Sequence, residues 1–414
     1  MCKDQLPVAP EYIKNFEQLG LGMFVHFGLY SLLRQGEWTM HIHGIDKETY
    51  TTLKERFQPG SMAEIVSVAK NAGCKYVCLT TRHHEGFSLY DTCGLNDYDA
   101  PHSAAGRDLI REFVDECRKA NLIPFFYHTT LDWHHPDFKN DFHAYLEYLR
   151  KSVEILCTNY GKIGGLWFDG NWSKPDADWQ EDALYSMIRK LQPDAMIINN
   201  TGLERRGAFG NEYIDSLTYE RGMPTPIDRR GMKKYVAGEM CETLNDHWGD
   251  ADDINYKPIK QLIEEICDCR KVGANMLLNV GPSADGKVPA MARATMEAIG
   301  YWMGMFGRAI YNGRPYITLD GKKEFVLRDV KDDKLFYAFK YDLGVGGNPN
   351  VTLENAGDNL LVFDGFAGEV ESVKWMDNGQ DLDFSQEGAK LSIACKNFRY
   401  GQSLCVRVAE IRMK

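Results

Sequence analysis

The sequence predicts an α/β protein, a (β/α)8-like barrel followed by a C-terminal antiparallel β-sandwich. Three observations carry that reading. Through the first three quarters of the chain, short apolar runs alternate with amphipathic helical patterns. Those apolar runs are near-continuous, as strands covered on both faces are. Beyond Ile310 the helical periodicity disappears, and alternating runs separated by Gly, Asp and Asn replace it.

In chain order, strands are expected at Gly22 to Phe27, Tyr76 to Thr80, Ile123 to His128, Gly165 to Phe168, Met196 to Asn199 and Met276 to Val280. Helices are expected at Ala63 to Asn71, Arg107 to Ala120, Phe142 to Asn159, Trp179 to Leu191 and Ile259 to Val272. The second helix shows why: Leu109, Ile110, Phe113, Val114 and Cys117 recur at helical spacing. Six or more such units over about 300 residues fit a closed barrel better than an open sheet. Thr201 to Ala237 is irregular, so one or two units are expected to be degenerate there. The later runs, among them Leu335 to Phe339, Val370 to Trp375 and Ser403 to Val408, read as a sandwich. The boundary is expected near Tyr311-Asn312-Gly313, giving a barrel over 1–310 and a sandwich over 311–414. Trp375, Phe366 and Tyr400 read as sandwich core rather than as a sugar-binding face.

Composition narrows the partners. Lys and Arg number 48 against 59 Asp and Glu, a net charge of -11, and so broad an acidic excess suits neither nucleic acid nor an anionic membrane surface. No apolar run approaches roughly 18 residues, so membrane insertion is not expected. Met1 to Pro7 has no apolar signal core, so the chain as it stands reads as cytoplasmic, or as secreted or periplasmic if a leader was removed. The cysteines number 11, and an odd count scattered over a long chain is not a disulfide framework. Cys74, Cys78 and Cys157 sit in apolar runs and read as buried thiols. Cys267-Asp268-Cys269 lies in a helical pattern with no second Cys pair at zinc spacing. The oligomeric state stays open, and a homo-oligomer is compatible with the sequence.

A barrel of this kind carries its active groups at the C-terminal ends of its strands. Those ends read Val25-His26-Phe27-Gly28, closely followed by Glu37-Trp38, then Thr81-Arg82-His83-His84-Glu85-Gly86-Phe87. Phe126-Tyr127-His128 and Leu166-Trp167-Phe168-Asp169-Gly170 come next. Thr218-Tyr219-Glu220-Arg221, Glu239-Met240-Cys241-Glu242, Asp246-His247-Trp248-Gly249 and Leu278-Asn279-Val280-Gly281-Pro282 complete the set. Imidazoles, aromatic faces and isolated carboxylates suit a neutral ligand with many hydroxyls and one apolar face, which describes a sugar. Each piece has a plainer reading. A lone strand-end histidine is commonly structural, Asp169 before Gly170 serves equally to cap a loop, and Glu220 alone reads as a surface or salt-bridged residue. His83 and His84 can both reach one ligand only if their strand has already ended. Glycoside hydrolysis needs two carboxyl groups about the scissile bond, and Asp169 and Glu220 come from different strands that could converge over the barrel mouth.

Four runs together resemble the α-L-fucosidases of glycoside hydrolase family 29. They are Leu21 to Ser31, Leu79 to Phe87 with its His-His-Glu-Gly-Phe, Leu166 to Gly170, and Asn275 to Gly286 with its Leu-Leu-Asn-Val-Gly-Pro. They occur in family order and cover roughly Gly20 to Asn312. The resemblance implies an imperfect barrel followed by a sandwich. It implies a retaining exo-hydrolase that releases terminal α-L-fucose from fucosylated glycans by double displacement, with no cofactor and no metal. The family's nucleophile corresponds to Asp169. Its acid/base varies among members; the run Asp215-Ser216-Leu217-Thr218-Tyr219-Glu220 points to Glu220, with Glu239 the runner-up. The sugar pocket is expected from His26, Glu37, Trp38, His83, His84, Tyr127, Trp167 and Trp248. There are two departures. Many members carry Asn-Asp-Arg after the fifth strand, where this chain has Asn199-Asn200-Thr201, so a substitute from Arg205 or Arg206 is in question. The usual His-Trp-Gly is His26-Phe27-Gly28, which keeps the ring and loses the indole N–H.

Two other classes compete. His41-Ile42-His43, His83-His84, His134-His135 and Asp169 could serve a metal-dependent barrel hydrolase, although the first of these runs reads as loop. A degenerate barrel could bind sugar without turnover, against which both candidate carboxylates are retained.

Overall fold

Eight parallel strands close a barrel in sequence order in the computed structural model. They are β1 (Leu21–Val25), β2 (Tyr76–Arg82), β3 (Ile123–Thr129), β4 (Gly165–Asp169), β5 (Met196–Asn199), β6 (Ser216–Glu220), β7 (Ala237–Thr243) and β8 (Asn275–Val280). β1 pairs with both β2 and β8, which completes the ring. The structure describes residues 6–200, 206–319, 321–347, 350 and 359–414.

The barrel interior is filled by rings. Phe24, Tyr76, Phe125, Tyr127 and Trp167 belong to one buried cluster. Glycine makes room for them at two positions. A Cβ at Gly22 would stand 2.4 Å from ring carbons of Tyr76, and one at Gly165 would stand 2.6 Å from the Phe125 ring. Because side chains alternate along a strand, the inward face continues from this floor to the mouth. It runs from Phe24 toward His26, from Trp167 to Asp169, and from Thr218 to Glu220.

The helices Ala63–Asn71, Leu109–Ala120, Phe142–Asn159, Glu181–Leu191 and Ile259–Lys271 occupy the stretches whose periodicity announced them. Asp108 and Asp141 cap two of these, accepting from the backbone N–H of Arg111 and Ala144. The irregular part lies where expected. β5 and β6 share one paired position, Ile198 with Ser216. Among the described residues, no helix follows β5 or β6 before the next strand. Two shorter departures concern the ends of elements. β1 stops at Val25, so His26 and Phe27 already lie beyond it, and His41 sits in a short helix, Thr39–Ile42, rather than in a loop.

The chain divides into two compact units, residues 1–257 with 275–297, and residues 258–274 with 298–414. The helix Ala290–Asn312 is the last one; every later element among the described residues is a strand. A five-stranded antiparallel sheet has the order β13-β16-β11-β10-β9, and a three-stranded sheet the order β12-β15-β14. Their ranges are β9 (Gly313–Thr318), β10 (Phe325–Asp329), β11 (Leu335–Lys340), β12 (Leu360–Asp364), β13 (Val370–Trp375), β14 (Asp383–Glu387), β15 (Lys390–Ala394) and β16 (Arg407–Met413). Phe366 packs against Phe363 of β12 and Phe336 of β11, so the two sheets share an aromatic core. Trp375 and Phe366 are buried there, as read from the sequence, but Tyr400 is 70% exposed. It lies in a turn outside the strands, where no alternation turns it inward. No cysteine among the described residues forms a disulfide. No helix among the described residues is long and apolar enough to cross a membrane.

Candidate active site

A recess at the barrel mouth is lined by all ten residues singled out in the sequence. They are His26, Glu37, Trp38, His83, His84, Tyr127, Trp167, Asp169, Glu220 and Trp248. Phe24, Trp172, Asn200 and Cys241 join them, and sequence reasoning had not placed those four. The recess holds about 120 Å³, the scale of one small ring. That is well below the roughly 300–1,000 Å³ of a drug-sized cleft.

The two adjacent histidines reach one site because their strand ends first. β2 stops at Arg82, and Gly86 N–H closes a turn onto the His83 carbonyl at 3.0 Å. Gly86 has φ +84°, and a Cβ there would stand 2.6 Å from Asp132. Glycine is therefore required on both counts. The turn leaves the two imidazoles 4.2 Å apart, with His83 stacked over Tyr127.

Hydrogen bonds fix which histidine nitrogen carries the proton. Asn279 donates its amide to the Trp248 carbonyl at 2.7 Å, so its oxygen accepts from His26 Nδ1, also at 2.7 Å. The asparagine of the Leu-Leu-Asn-Val-Gly-Pro run thus holds the His26 ring and the Trp248 main chain at once. Burial drives the His26 pKa down to about 4, leaving a neutral ring whose Nε2 is an acceptor. The Thr129 hydroxyl commits its single hydrogen to the Leu131 carbonyl at 2.6 Å. It therefore accepts from His84 Nδ1–H at 2.7 Å, which turns His84 Nε2 to Asp169 Oδ2 at 3.4 Å, an ion pair in which the imidazolium carries hydrogen on both nitrogens. Glu37 is held by the backbone N–H of Gly249, which donates to its Oε2 at 2.8 Å.

Asp169 ends β4 at the recess with several donors around its carboxylate. Trp172 Nε1–H donates to Oδ1 at 2.8 Å, the Tyr127 hydroxyl to Oδ2 at 3.1 Å, and the Asn200 amide to Oδ1 at 3.3 Å. Burial alone would raise its pKa. The hydrogen bond and charge of His84, with Trp172 and Tyr127, outweigh it and hold Asp169 below the usual carboxylate range. Glu220 has the opposite setting. Burial first, then the negative charge of Asp169, pushes it up to about 7. Asn200 also donates to Glu220 Oε2, at 2.6 Å.

Glu239 lies elsewhere. It is buried on the barrel floor, where the Tyr76 hydroxyl donates to one oxygen and Trp167 Nε1–H to the other at 3.0 Å. It does not line the recess. Burial raises its pKa to about 7 as well, so pKa alone does not separate it from Glu220; geometry does. Of the arginines considered as a charge partner for Asp169, Arg206 donates instead to the main-chain carbonyl of Glu220 at 2.7 Å, and Arg205 lies outside the described residues.

The histidines of the metal reading have aromatic partners. His41 stacks on Trp133, His134 on Tyr98, and His135 packs on Tyr148. Among the described residues, no group of three or more His, Cys, Asp or Glu side chains is placed to hold a metal ion.

Comparison with known proteins agrees with the geometry. A family model described as alpha-L-fucosidase matches residues 5–308. The tissue alpha-L-fucosidase of Rattus norvegicus is 27% identical, over 78% of this chain and 75% of its own length. That of Homo sapiens is 27% identical over 73% and 69%. Among solved structures, alpha-L-fucosidase isoenzyme 1 from Paenibacillus thiaminolyticus superposes with a TM-score of 0.82 at 29% identity, covering 98% of this chain and 99% of that one. A trapped covalent intermediate of a family 29 alpha-L-fucosidase from Bacteroides thetaiotaomicron has the same fold, with a TM-score of 0.82 at 22% identity over 99% and 98%.

Proposed function

The chain belongs to the alpha-L-fucosidase family and is a glycosidase of that activity; we propose that it is a retaining exo-hydrolase, with Asp169 the nucleophile and Glu220 the acid/base. The observation that carries this reading is the tie between the two carboxylates. One Asn200 amide nitrogen bonds an oxygen of each, at 3.3 and 2.6 Å, so those oxygens lie within about 6 Å of one another. A retaining pair stands roughly 5–5.5 Å apart, whereas an inverting pair needs about 6.5–9.5 Å to admit water.

The pKa settings support the same division of labour. Asp169 is ionised and can attack the anomeric carbon. Glu220, near 7, is protonated often enough to give its proton to the leaving oxygen. As a carboxylate it then takes a proton from water, which displaces Asp169 from the sugar. Two displacements at one carbon restore its configuration.

The recess suits a terminal 6-deoxy sugar on a fucosylated glycan. His26 Nε2 and Glu37 supply acceptors for ring hydroxyls, and the His83 and His84 imidazoles complete the polar wall. Trp38, Trp167 and Trp248 offer apolar faces for the methyl group. The small volume supports release of one residue from a chain end. Turnover of an aryl α-L-fucoside beside the matching β-D-galactoside and α-L-arabinoside tests this. The fucoside is expected to be preferred over both, since neither analogue has the ring configuration of α-L-fucose and neither carries its methyl group. Equal turnover of all three would refute the assignment.

A further inference from the structure

Glu85, in the His-His-Glu-Gly-Phe run, has no part in the mechanism above. It is 1% exposed, and beyond its own backbone N–H neither of its oxygens has a hydrogen-bond partner. A buried carboxyl without other partners carries a desolvation cost, so its place in the fold calls for a physical reason. Its nearest basic group is His83, whose Nδ1 lies 3.6 Å from Glu85 Oε2 and is likewise buried and unpartnered. That separation is just beyond hydrogen-bond length, and a small rotation of either side chain closes it. The His83 ring lines the recess, and with Nδ1 turned to Glu85 its Nε2 is the nitrogen left for a ligand.

We propose that Glu85 is a positioning residue for the sugar pocket: its carboxyl O–H donates to His83 Nδ1, which places the imidazole hydrogen on Nε2 as a donor to a ligand hydroxyl. This rests on the fucosidase reading only for the identity of that ligand. The proton count is closed, because Glu85 keeps its hydrogen and His83 keeps one. The opposite arrangement, an ionised Glu85 accepting from Nδ1–H, turns Nε2 into an acceptor. The pocket then presents an acceptor at this point in place of a donor.

The surroundings favour the neutral pair. Burial raises Glu85 to about 8; its own backbone N–H and Arg82 oppose, while Asp132 and Glu37 add to it. Tyr30, Tyr50 and Tyr98 also face Glu85, and all three stay protonated in this range. On the other side, burial first, then His84 and His26, holds His83 well below the ordinary histidine pKa. Both members are therefore neutral near pH 7. Above pH about 8, Glu85 ionises and the donor at Nε2 is lost.

The test uses two variants of similar volume. Glu85→Gln keeps an N–H that can donate to Nδ1, whereas Glu85→Leu cannot donate. For an aryl fucoside at pH 7, Glu85→Leu should raise KM about tenfold with little change in kcat, and Glu85→Gln should stay near wild type. Wild-type KM should climb above pH about 8, and that climb should vanish in Glu85→Gln. The ¹⁵N shifts of His83 at pH 7 should show hydrogen on Nε2 in the wild type. Equal KM for the two variants, a pH-dependent rise that persists in Glu85→Gln, or hydrogen on Nδ1 would overturn the proposal. Absence of fucoside turnover would strike the functional reading instead, while the His83 shifts would still decide the pairing.

Discussion

The side-chain amide of Asn200 donates to Glu220 Oε2 at 2.6 Å. The same nitrogen reaches Asp169, and two carboxylates can be served at once only by the NH2 end of the amide, which fixes its direction. A neutral donor thus bridges the two carboxylates. Hydrogen bonding to a carboxylate favours its ionised form, so Asn200 holds the Glu220 pKa lower than burial and Asp169 alone would set it.

Removing that donor has a signed consequence. Asn200→Ala raises the Glu220 pKa, so Glu220 stays protonated to higher pH. The basic limb of the kcat/KM profile is expected to move up by about 1–2 pH units, the worth of a hydrogen bond to a charged group. Asn200→Asp adds a third negative charge and should move the limb further while depressing the rate. A basic limb that stays in place in both variants excludes this role.

Glu220 and Glu239 leave different signatures. Glu220→Ala should retain much activity on an activated aryl fucoside and little on poor leaving groups, which need a proton. Azide should restore turnover by attacking the covalent intermediate, giving fucosyl azide of retained α configuration. Glu239→Ala removes the acceptor for both Tyr76 and Trp167 beneath the pocket. Its loss should lower Tm and depress all substrates alike, without azide rescue. If the two patterns are exchanged, the acid/base is Glu239.

Thr129 acts through His84. Thr129→Val keeps the shape and removes the acceptor for the buried His84 Nδ1–H, a change costing about 1–3 kcal/mol at this site. His84 then holds Asp169 less firmly, and the Asp169 pKa rises toward the ordinary range. Activity requires ionised Asp169, so the acidic limb of the pH profile should shift upward, with kcat/KM reduced about tenfold. Thr129→Ser should restore both. A profile unchanged in Thr129→Val would assign the threonine a packing role only.

Most of the barrel was legible because its signals are local. Apolar periodicity located the helices, and strand-end residues located the pocket, since β strands carry their inward face directly to the mouth. The strand at Ser216–Glu220 was visible only through its end, Thr218-Tyr219-Glu220, because Ser216, Thr218 and Glu220 break up any apolar run. Trp172 was missed for a geometric reason. Its indole reaches Asp169 through a tight turn at Gly170, where φ is +118° and a Cβ would stand 2.5 Å from Leu131 N. No residue periodicity encodes that direction. Asn200 was read as part of a missing arginine motif, although its place two residues after the inward-facing Ile198 already marked it as a pocket residue. Tyr400 shows the converse: an aromatic in a turn carries no information about the core.

The central claim is that Asp169 forms the bond to the sugar, and Asp169→Gly with azide measures it most directly. The variant should lose several orders of magnitude in kcat, because the covalent path is closed. Azide then fills the space of the missing carboxylate and attacks the anomeric carbon once, giving fucosyl azide of inverted β configuration. Near-wild-type turnover without azide, or an α-configured product with it, would contradict Asp169 as the nucleophile.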